Sequence, residues 1–244
     1  ILDLQCLFIE LGIKILQLKM INYSKHYNKE YFTWQMKVGR FGAKANKFKF
    51  IKSVKEEFTI LDFGCGGGYL LKELNCKKKL AVEPNPEARK EILKNSIDHI
   101  YESVDECLKD NMNKVDLIIS HHALEHTLNP LIELKKLKNL LKENGKIHFV
   151  VPCEHISYSY KPLKDKNNHL YSWSPMNLGN LFSEAGFNVI YSKALVHKWP
   201  PYYRWFAKLG WNFFHYICRI YGLFARDWFQ VEILAEKISF KDID

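Results

Sequence analysis

Two groups of residues carry chemistry in their types and spacing. The first is Leu61-Asp62-Phe63-Gly64-Cys65-Gly66-Gly67-Gly68-Tyr69-Leu70, followed downstream by Glu83. Glycines admit positive φ and let a ligand approach without a Cβ in the way. A helix starting behind them presents unpaired N–H groups to something polar or anionic. An acid ending the next strand is the expected acceptor for a ribose diol, and the pair is more specific than either part alone. The second group is rich in histidine: His121, His122 and His126 surround Leu124-Glu125, and His169 follows later. Imidazole titrates near neutral pH and is the obvious proton acceptor. His122, Glu125 and His126 also make a His/His/Glu set, but no fourth ligand is evident and no metal is expected.

The elements that must position these residues follow from hydrophobic period and turn chemistry. Phe58 to Phe63 reads as a first strand, and the run from Leu70 to Leu74 has helical spacing. Lys79 to Glu83 is a second strand, broken by Pro84-Asn85-Pro86, with Pro86 suited to a first helical turn. Ile97 to Tyr101 is a short third strand, and Ser103 can cap the helix behind it. Lys114 to Ser120 is a fourth strand that runs directly into the histidines. A helix from Pro130 to Leu141 is ended by Asn144-Gly145, and Lys146 to Pro152 is an almost wholly apolar fifth strand. Ser174 and Pro175 open a further helix that Gly186 ends. Phe187 to His197 and Trp228 to Ile238 are the last strands. The βαβ rhythm over residues 58–152 predicts an α/β fold with a mostly parallel sheet and helices on both faces.

The chain divides into a helical cap or lid (residues 1–54), an α/β core (55–197), an aromatic helical insertion (198–227) and a closing strand with its tail (228–244). The segment from Ile1 to Ile21 is apolar but interrupted by Asp3, Gln5, Glu10, Lys14, Gln17 and Lys19. It is too broken to span a bilayer and reads as a packed helix or a membrane-surface helix. In the insertion, Arg204, Lys208, Asn212, His215 and Arg219 line one stripe of a single predicted helix, and large apolar residues fill the rest. That arc must pack on the N-terminal helices, on a second subunit, on lipid or over an apolar substrate.

The formal charge of +9 comes mostly from lysine, and the few arginines do not cluster. A nucleic-acid partner is not expected. The six cysteines are scattered without a Cys-x-x-Cys pair, as in a thiol-bearing protein of the reducing cytoplasm.

The ordered set Asp62-x-Gly64-x-Gly66-x-Gly68, Val82-Glu83-Pro84-Asn85-Pro86, Asp116 to Ser120, Ala123-Leu124-Glu125-His126, Asn129-Pro130 and Ser183-Glu184-Ala185-Gly186-Phe187 resembles the class I S-adenosylmethionine-dependent methyltransferases. The likeness is strongest to the small-molecule branch with the ubiquinone-type O-methyltransferases and envelope- and sugar-pathway enzymes. It covers about residues 55–197 and the final strand. It implies a Rossmann-like fold with a seven-stranded, mostly parallel sheet and an antiparallel last strand, with S-adenosyl-L-methionine as cofactor. By the resemblance, Asp62, Gly64, Cys65 and Gly66 hold the methionine end, with Tyr69 beside them. Glu83 accepts the ribose hydroxyls and Pro84 or Asn85 borders the adenine. Ser103 and Val104 sit at the adenine ring, with Ser103 or Asp105 as the polar contact there. Ser120 and His121 approach beneath the methyl group, and Tyr27, Tyr31 and Gln35 close over the cofactor. Transfer to an alcohol, phenol or amide calls for a base, for which His122 is the first choice, with His126 and His169 as further candidates.

The acceptor expected is a small molecule, and two classes suit the cap. A sugar or sugar-nucleotide of envelope polysaccharide synthesis suits the Tyr/Lys/His-rich loop from Cys153 to Tyr171, whereas a lipid or polyprenyl-like acceptor suits the aromatic insertion. A non-catalytic scaffold, touching a membrane or pairing as a homodimer through that insertion, is the alternative to an enzyme. No Asn/Asp-Pro-Pro-Tyr/Phe motif follows strand four, where Ser120-His121-His122-Ala123 stands.

Overall fold

The computed structural model describes residues 29–155, 158–159, 166–225 and 227–238. The segment from Ile1 to Ile21, Tyr27, the middle of the loop between Cys153 and Tyr171, Arg226 and the end of the tail lie outside the described residues.

Seven strands form one sheet: β1 (Thr59–Phe63), β2 (Lys78–Val82), β3 (His99–Tyr101), β4 (Val115–His121), β5 (Leu141–Glu154), β6 (Phe187–Leu195) and β7 (Trp228–Lys237). Their spatial order is β3-β2-β1-β4-β5-β7-β6, and β7 runs antiparallel to both of its neighbours. The order reverses between β1 and β4, so the ends of these two strands open a crevice where ligands of such sheets bind. The helices are α1 (Lys29–Asn46), α2 (Tyr69–Lys72), α3 (Pro86–Ile92), α4 (Val104–Asn111), α5 (Pro130–Leu140), α6 (Pro175–Glu184), α7 (Tyr203–Lys208) and α8 (Trp211–Phe224).

The period of two along the strands sorts side chains to the two faces of the sheet. Leu61, Phe63, Ile118, Ile147 and Phe149 join Leu134, Leu137 and Phe182 on one face. Ile60, Leu117, Ile119 and Val150 join Phe50, Leu71 and Leu74 on the other. Both faces of β1 and β4 are therefore buried, which is why these strands are continuously apolar around Asp62 and Ser120. Polar side chains fix the helix starts at the site. Asn85 Oδ1 accepts from Glu87 N–H, Ser103 Oγ from Glu106 N–H, and Ser174 with Asn177 forms a reciprocal capping box.

Helix α1 and the aromatic insertion build one cap. The Phe41 ring lies 5.3 Å from Trp199, 5.1 Å from Tyr203, 5.8 Å from Trp211 and 5.9 Å from Phe214. Phe214, Cys218 and Ala45 are buried at its centre, and full burial of one such phenylalanine contributes about 1.5–3 kcal/mol. The inner face of the insertion thus packs on the N-terminal helix. Trp205, Leu209, Phe213, Tyr216 and Ile220 stay exposed on its outer side. No described helix is long and apolar enough to cross a membrane.

Beyond shifts at the strand ends, three helices depart from the pattern of the sequence. The expected single helix from Arg204 to Arg219 is two, because Gly210 sits at φ 117° and ψ 147°, a conformation that ends α7 and starts α8 in a new direction. Helix α5 stops at Leu140, one residue short of the expected end and well before Asn144-Gly145, because Leu141 is drawn into pairing with Val115 of β4. Helix α2 is a single turn.

Candidate functional site

The turn after β1 is shaped by three glycines at positive φ: Gly64 at 71°, Gly66 at 55° and Gly68 at 72°. Their demands differ. A Cβ on Gly64 would lie 2.3 Å from Ala123 Cβ, so that glycine is required by packing against the loop after β4. A Cβ on Gly66 would meet no atom within 4 Å and would project into open cavity. Gly66 N–H donates to Glu83 Oε2 at 2.7 Å, and Asn85 N–H donates to Glu83 Oε1 at 2.9 Å. The acid ending β2 is therefore aimed at the turn by backbone amides, and each oxygen keeps acceptor capacity for a ligand. Burial pushes Glu83 up to about 7, opposed by those amides and by Arg89. Asp62 goes up to about 8, through burial and then the charge of Glu83. Burial also raises the Cys65 thiol, well above its ordinary value.

Two adjoining cavities open from this turn. One, of about 490 Å³, is bordered by Glu83, Pro84, Asn85, Ser103, Val104 and Asp105. The other, of about 460 Å³, is bordered by Asp62, Cys65, Gly67, Tyr69, His121 and His169. Tyr31, Gln35, Gly64, Gly66, His122 and His126 border both. Each volume lies in the range of small-molecule sites. Tyr31 and Gln35 reach them from α1, linked to each other by a hydrogen bond of 2.9 Å. Tyr69 is held from outside, donating to Glu91 at 2.8 Å.

Ser120 takes a different place from its neighbours. It is fully buried, borders neither cavity, and donates to the Phe63 carbonyl at 2.8 Å. Its hydroxyl ties β4 to β1 at the point where the crevice opens.

The histidines gather on the wall built by the end of β4 and the loop after β5. His121 and His122 stack at 4.2 Å, and His122 holds a left-handed φ of 57° with its N–H donated to the Val150 carbonyl. Burial, the Lys49 charge and neighbouring histidines hold both well below the usual imidazole range, so both are neutral at pH 7. His126 follows in a short 3₁₀ turn (Leu124–His126), and its ring lies 4.9 Å from His169. The loop carrying His169 is tied to that turn by Leu170 N–H donating to the Glu125 carbonyl at 2.9 Å and Tyr171 Oη–H donating to the Leu128 carbonyl at 3.1 Å. His169 Nδ1 lies 2.7 Å from Glu154 Oε1. Glu125 is fully buried, and burial pushes its carboxyl up to about 8.

Several site residues carried no usable signal in the sequence. Lys49 is buried and reaches His121 Nε2 at 2.8 Å and Gln230 Oε1. Burial lowers its ammonium to about 7, opposed by Glu232. Met36 from α1, Glu154 from the end of β5, and Asn167 and Trp199 from loops reach the site or its supports from places far apart in the chain. The Tyr/Lys/His-rich loop from Cys153 to Tyr171 hinted at Glu154 and Asn167, and the aromatic insertion hinted at Trp199.

Comparison with known proteins adds the following. A family model described as a methyltransferase domain matches residues 25–192. The N-methyltransferase 4 of Papaver somniferum is 31% identical over 117 residues, which span 43% of this chain and 33% of that relative. The match thus spans about a third of the curated relative's length. Among solved structures, one chain of the complex between the Haloferax volcanii Trm112 methyltransferase activator and a candidate methyltransferase superimposes with a TM-score of 0.61. It is 16% identical, over 86% of this chain and 98% of that one. The [4+2]-cyclase SpnF superimposes with a TM-score of 0.56 at 15% identity, over 84% of this chain and 83% of that one. At such identities the likeness is one of fold, and the cyclase illustrates that the fold alone does not name the reaction.

Proposed function

Given that the chain belongs to the methyltransferase domain family, we propose that it is an S-adenosylmethionine-dependent methyltransferase acting on a small polar acceptor. The observation that carries the reading is the pair of cavities that meet at Gly64, Gly66, His122 and His126. One offers an acid and a helix start suited to a nucleoside, and the other offers a glycine turn and a wall of imidazoles. The residues fit the cofactor: Gly66 leaves open the space its Cβ would fill, and Glu83 stands at the end of β2 with acceptor capacity to spare. The bound cofactor supplies an electrophilic methyl group on a sulfonium.

The chain's own part is to bind, orient and move a proton. Glu83 would hold the ribose diol, with Pro84, Asn85, Ser103 and Val104 around the base, while Asp62, Cys65 and the Gly64–Gly66 backbone would hold the amino-acid end beside Tyr69. Tyr31 and Gln35 would cover both chambers from α1. His121 keeps His122 in place through ring stacking and is itself held by Lys49. His122 borders both chambers as a neutral imidazole; burial makes it a weak base, but the proton of an acceptor hydroxyl becomes strongly acidic as its oxygen is methylated, and His122 is placed to take it.

The polar wall of His126, Asn167 and His169 favours a hydroxyl-rich acceptor such as a sugar or sugar-nucleotide. A lipid or polyprenyl-like acceptor would want the aromatic insertion in the cavity, where, among the described residues of that segment, only Trp199 contributes. Calorimetry with S-adenosylmethionine and S-adenosylhomocysteine tests the donor. Saturable binding is expected, and its absence with well-folded protein overturns the reading. Transfer of labelled methyl to a panel of sugars, sugar-nucleotides and polyprenyl alcohols then sorts the acceptor class.

A further inference from the structure

The geometry points to a divalent transition-metal site on the acceptor wall, formed by Glu125, His126 and His169 and backed by Glu154. One ligand atom from each of the three residues lies within 4.8 Å of the others. Glu125 Oε1 is 3.8 Å from His126 Nε2 and 3.8 Å from His169 Nε2. Nitrogen and oxygen ligands about 2.0–2.2 Å from an ion stand roughly 3–3.6 Å apart. The two sides from Glu125 therefore close on an ion by a contraction of a few tenths of an ångström, while the side between the imidazoles lies within 4.8 Å.

A second observation is independent of that spacing. Glu125 is fully buried, and neither carboxylate oxygen has a hydrogen-bond partner among the described residues. An unpartnered buried carboxylate is costly, and the groups within reach of it are the two imidazole nitrogens. A cation between the three supplies the missing partner.

The support behind the ligands has the form metal sites need. His169 Nδ1 is engaged by Glu154 Oε1, which fixes the ring and leaves Nε2 turned toward Glu125. A carboxylate behind a histidine in this way sets the tautomer and raises the basicity of the ligating nitrogen. The backbone bond from Leu170 to Glu125 keeps the two loops in register. Two imidazoles with one carboxylate suit Zn²⁺, Mn²⁺, Fe²⁺ or Co²⁺ rather than Mg²⁺ or Ca²⁺. Three protein ligands leave positions open toward the cavity that His126 and His169 border, where an acceptor oxygen can bind and be polarised. That use of the ion rests on the methyltransferase reading, whereas the ion binding does not.

The test is titration of chelator-treated protein with Co²⁺ alone, followed by visible absorption, and then displacement by Zn²⁺ followed by calorimetry. One Co²⁺ per chain with a ligand-field band is expected. His169→Ala and His126→Ala should weaken binding by on the order of 100-fold, and Glu154→Gln by about 10-fold or more. Circular dichroism and the urea midpoint report whether each variant keeps its fold. If the alanine variants do not fold, Glu154→Gln carries the test. Absence of stoichiometric Co²⁺ binding, or equal binding by folded wild type and variants, overturns the site. Metal binding without S-adenosylhomocysteine binding would instead sink the donor reading and keep this one.

Discussion

The glycine turn and the histidine wall border one cavity and are built by opposite means. The turn is contiguous in the chain and works through backbone: positive φ at Gly64, Gly66 and Gly68, and amides that grip Glu83. The wall is assembled from residues 121–126, 154 and 167–169 and works through side chains. At the turn Glu83 is gripped by two backbone amides before any ligand arrives, while among the described residues the wall's Glu125 is buried without a hydrogen bond. A ligand common to many chemistries can be read by fixed backbone, whereas a particular acceptor has to be read by side chains that a chain can vary.

If the two regions divide the work in this way, substitutions should separate binding from turnover. His122→Ala is expected to lower turnover by roughly 10²–10⁴-fold, the usual worth of a positioned proton acceptor. The affinity for S-adenosylhomocysteine should change no more than about threefold. Comparable losses in both would make His122 a donor-binding residue and erase the distinction.

The glycines sharpen the other half. Gly66→Ala places a methyl in open cavity at φ 55°. It should cost about 1 kcal/mol of stability and on the order of 100-fold in S-adenosylhomocysteine affinity. Gly64→Ala drives a Cβ to 2.3 Å from Ala123, and its main effect should be on folding, about 2–3 kcal/mol by urea denaturation. Equal effects of the two on binding and stability would show that the turn acts as one undivided unit. Glu83→Gln keeps the shape and removes the charge, and about a 10-fold loss of affinity is expected from calorimetry.

The same contrast explains what could be read from the chain before its fold. Asp62, the three glycines and Glu83 stand in a strand-turn-helix order, and Ser103 and Ser174 lie three residues from the amides they cap, so local chemistry announced them; the demand of Ala123 on Gly64 and the bond from Gly66 to Glu83 17 residues on depend on the fold. Gly210 went unread as a helix break because the apolar periodicity continues through it, and only packing of both helices on Phe41 decides the bend. Leu141 left its helix for a strand partner distant in sequence, Val115. Ser120 sat at the right strand end for a cofactor contact, yet its hydroxyl is bonded to Phe63 across the sheet. Lys49 and Glu154 meet their histidines over separations of 72 and 15 residues, with no spacing rule to reveal them. His169 was visible as a residue, but its pairing with Glu125 and His126 depends on a loop contact.

The smallest expected effect concerns the acids of the turn. Asp62 is raised from 3.8 to about 8 by burial and by the charge of Glu83. The folded protein therefore holds that proton more tightly than the unfolded chain. The resulting stability is fully present below about pH 4 and is lost as pH rises toward 8. Asp62→Asn removes this dependence and little else in volume. The difference in urea midpoint, wild type minus variant, should fall steadily between pH 5 and pH 8. Saturating S-adenosylmethionine should flatten the decline, because a cationic amino group near Asp62 favours its ionised form. A pH-independent difference would mean that Asp62 is already ionised without ligand. The turn would then hold a ready-made charge, and the contrast between the glycine turn and the histidine wall would need no electrostatic part.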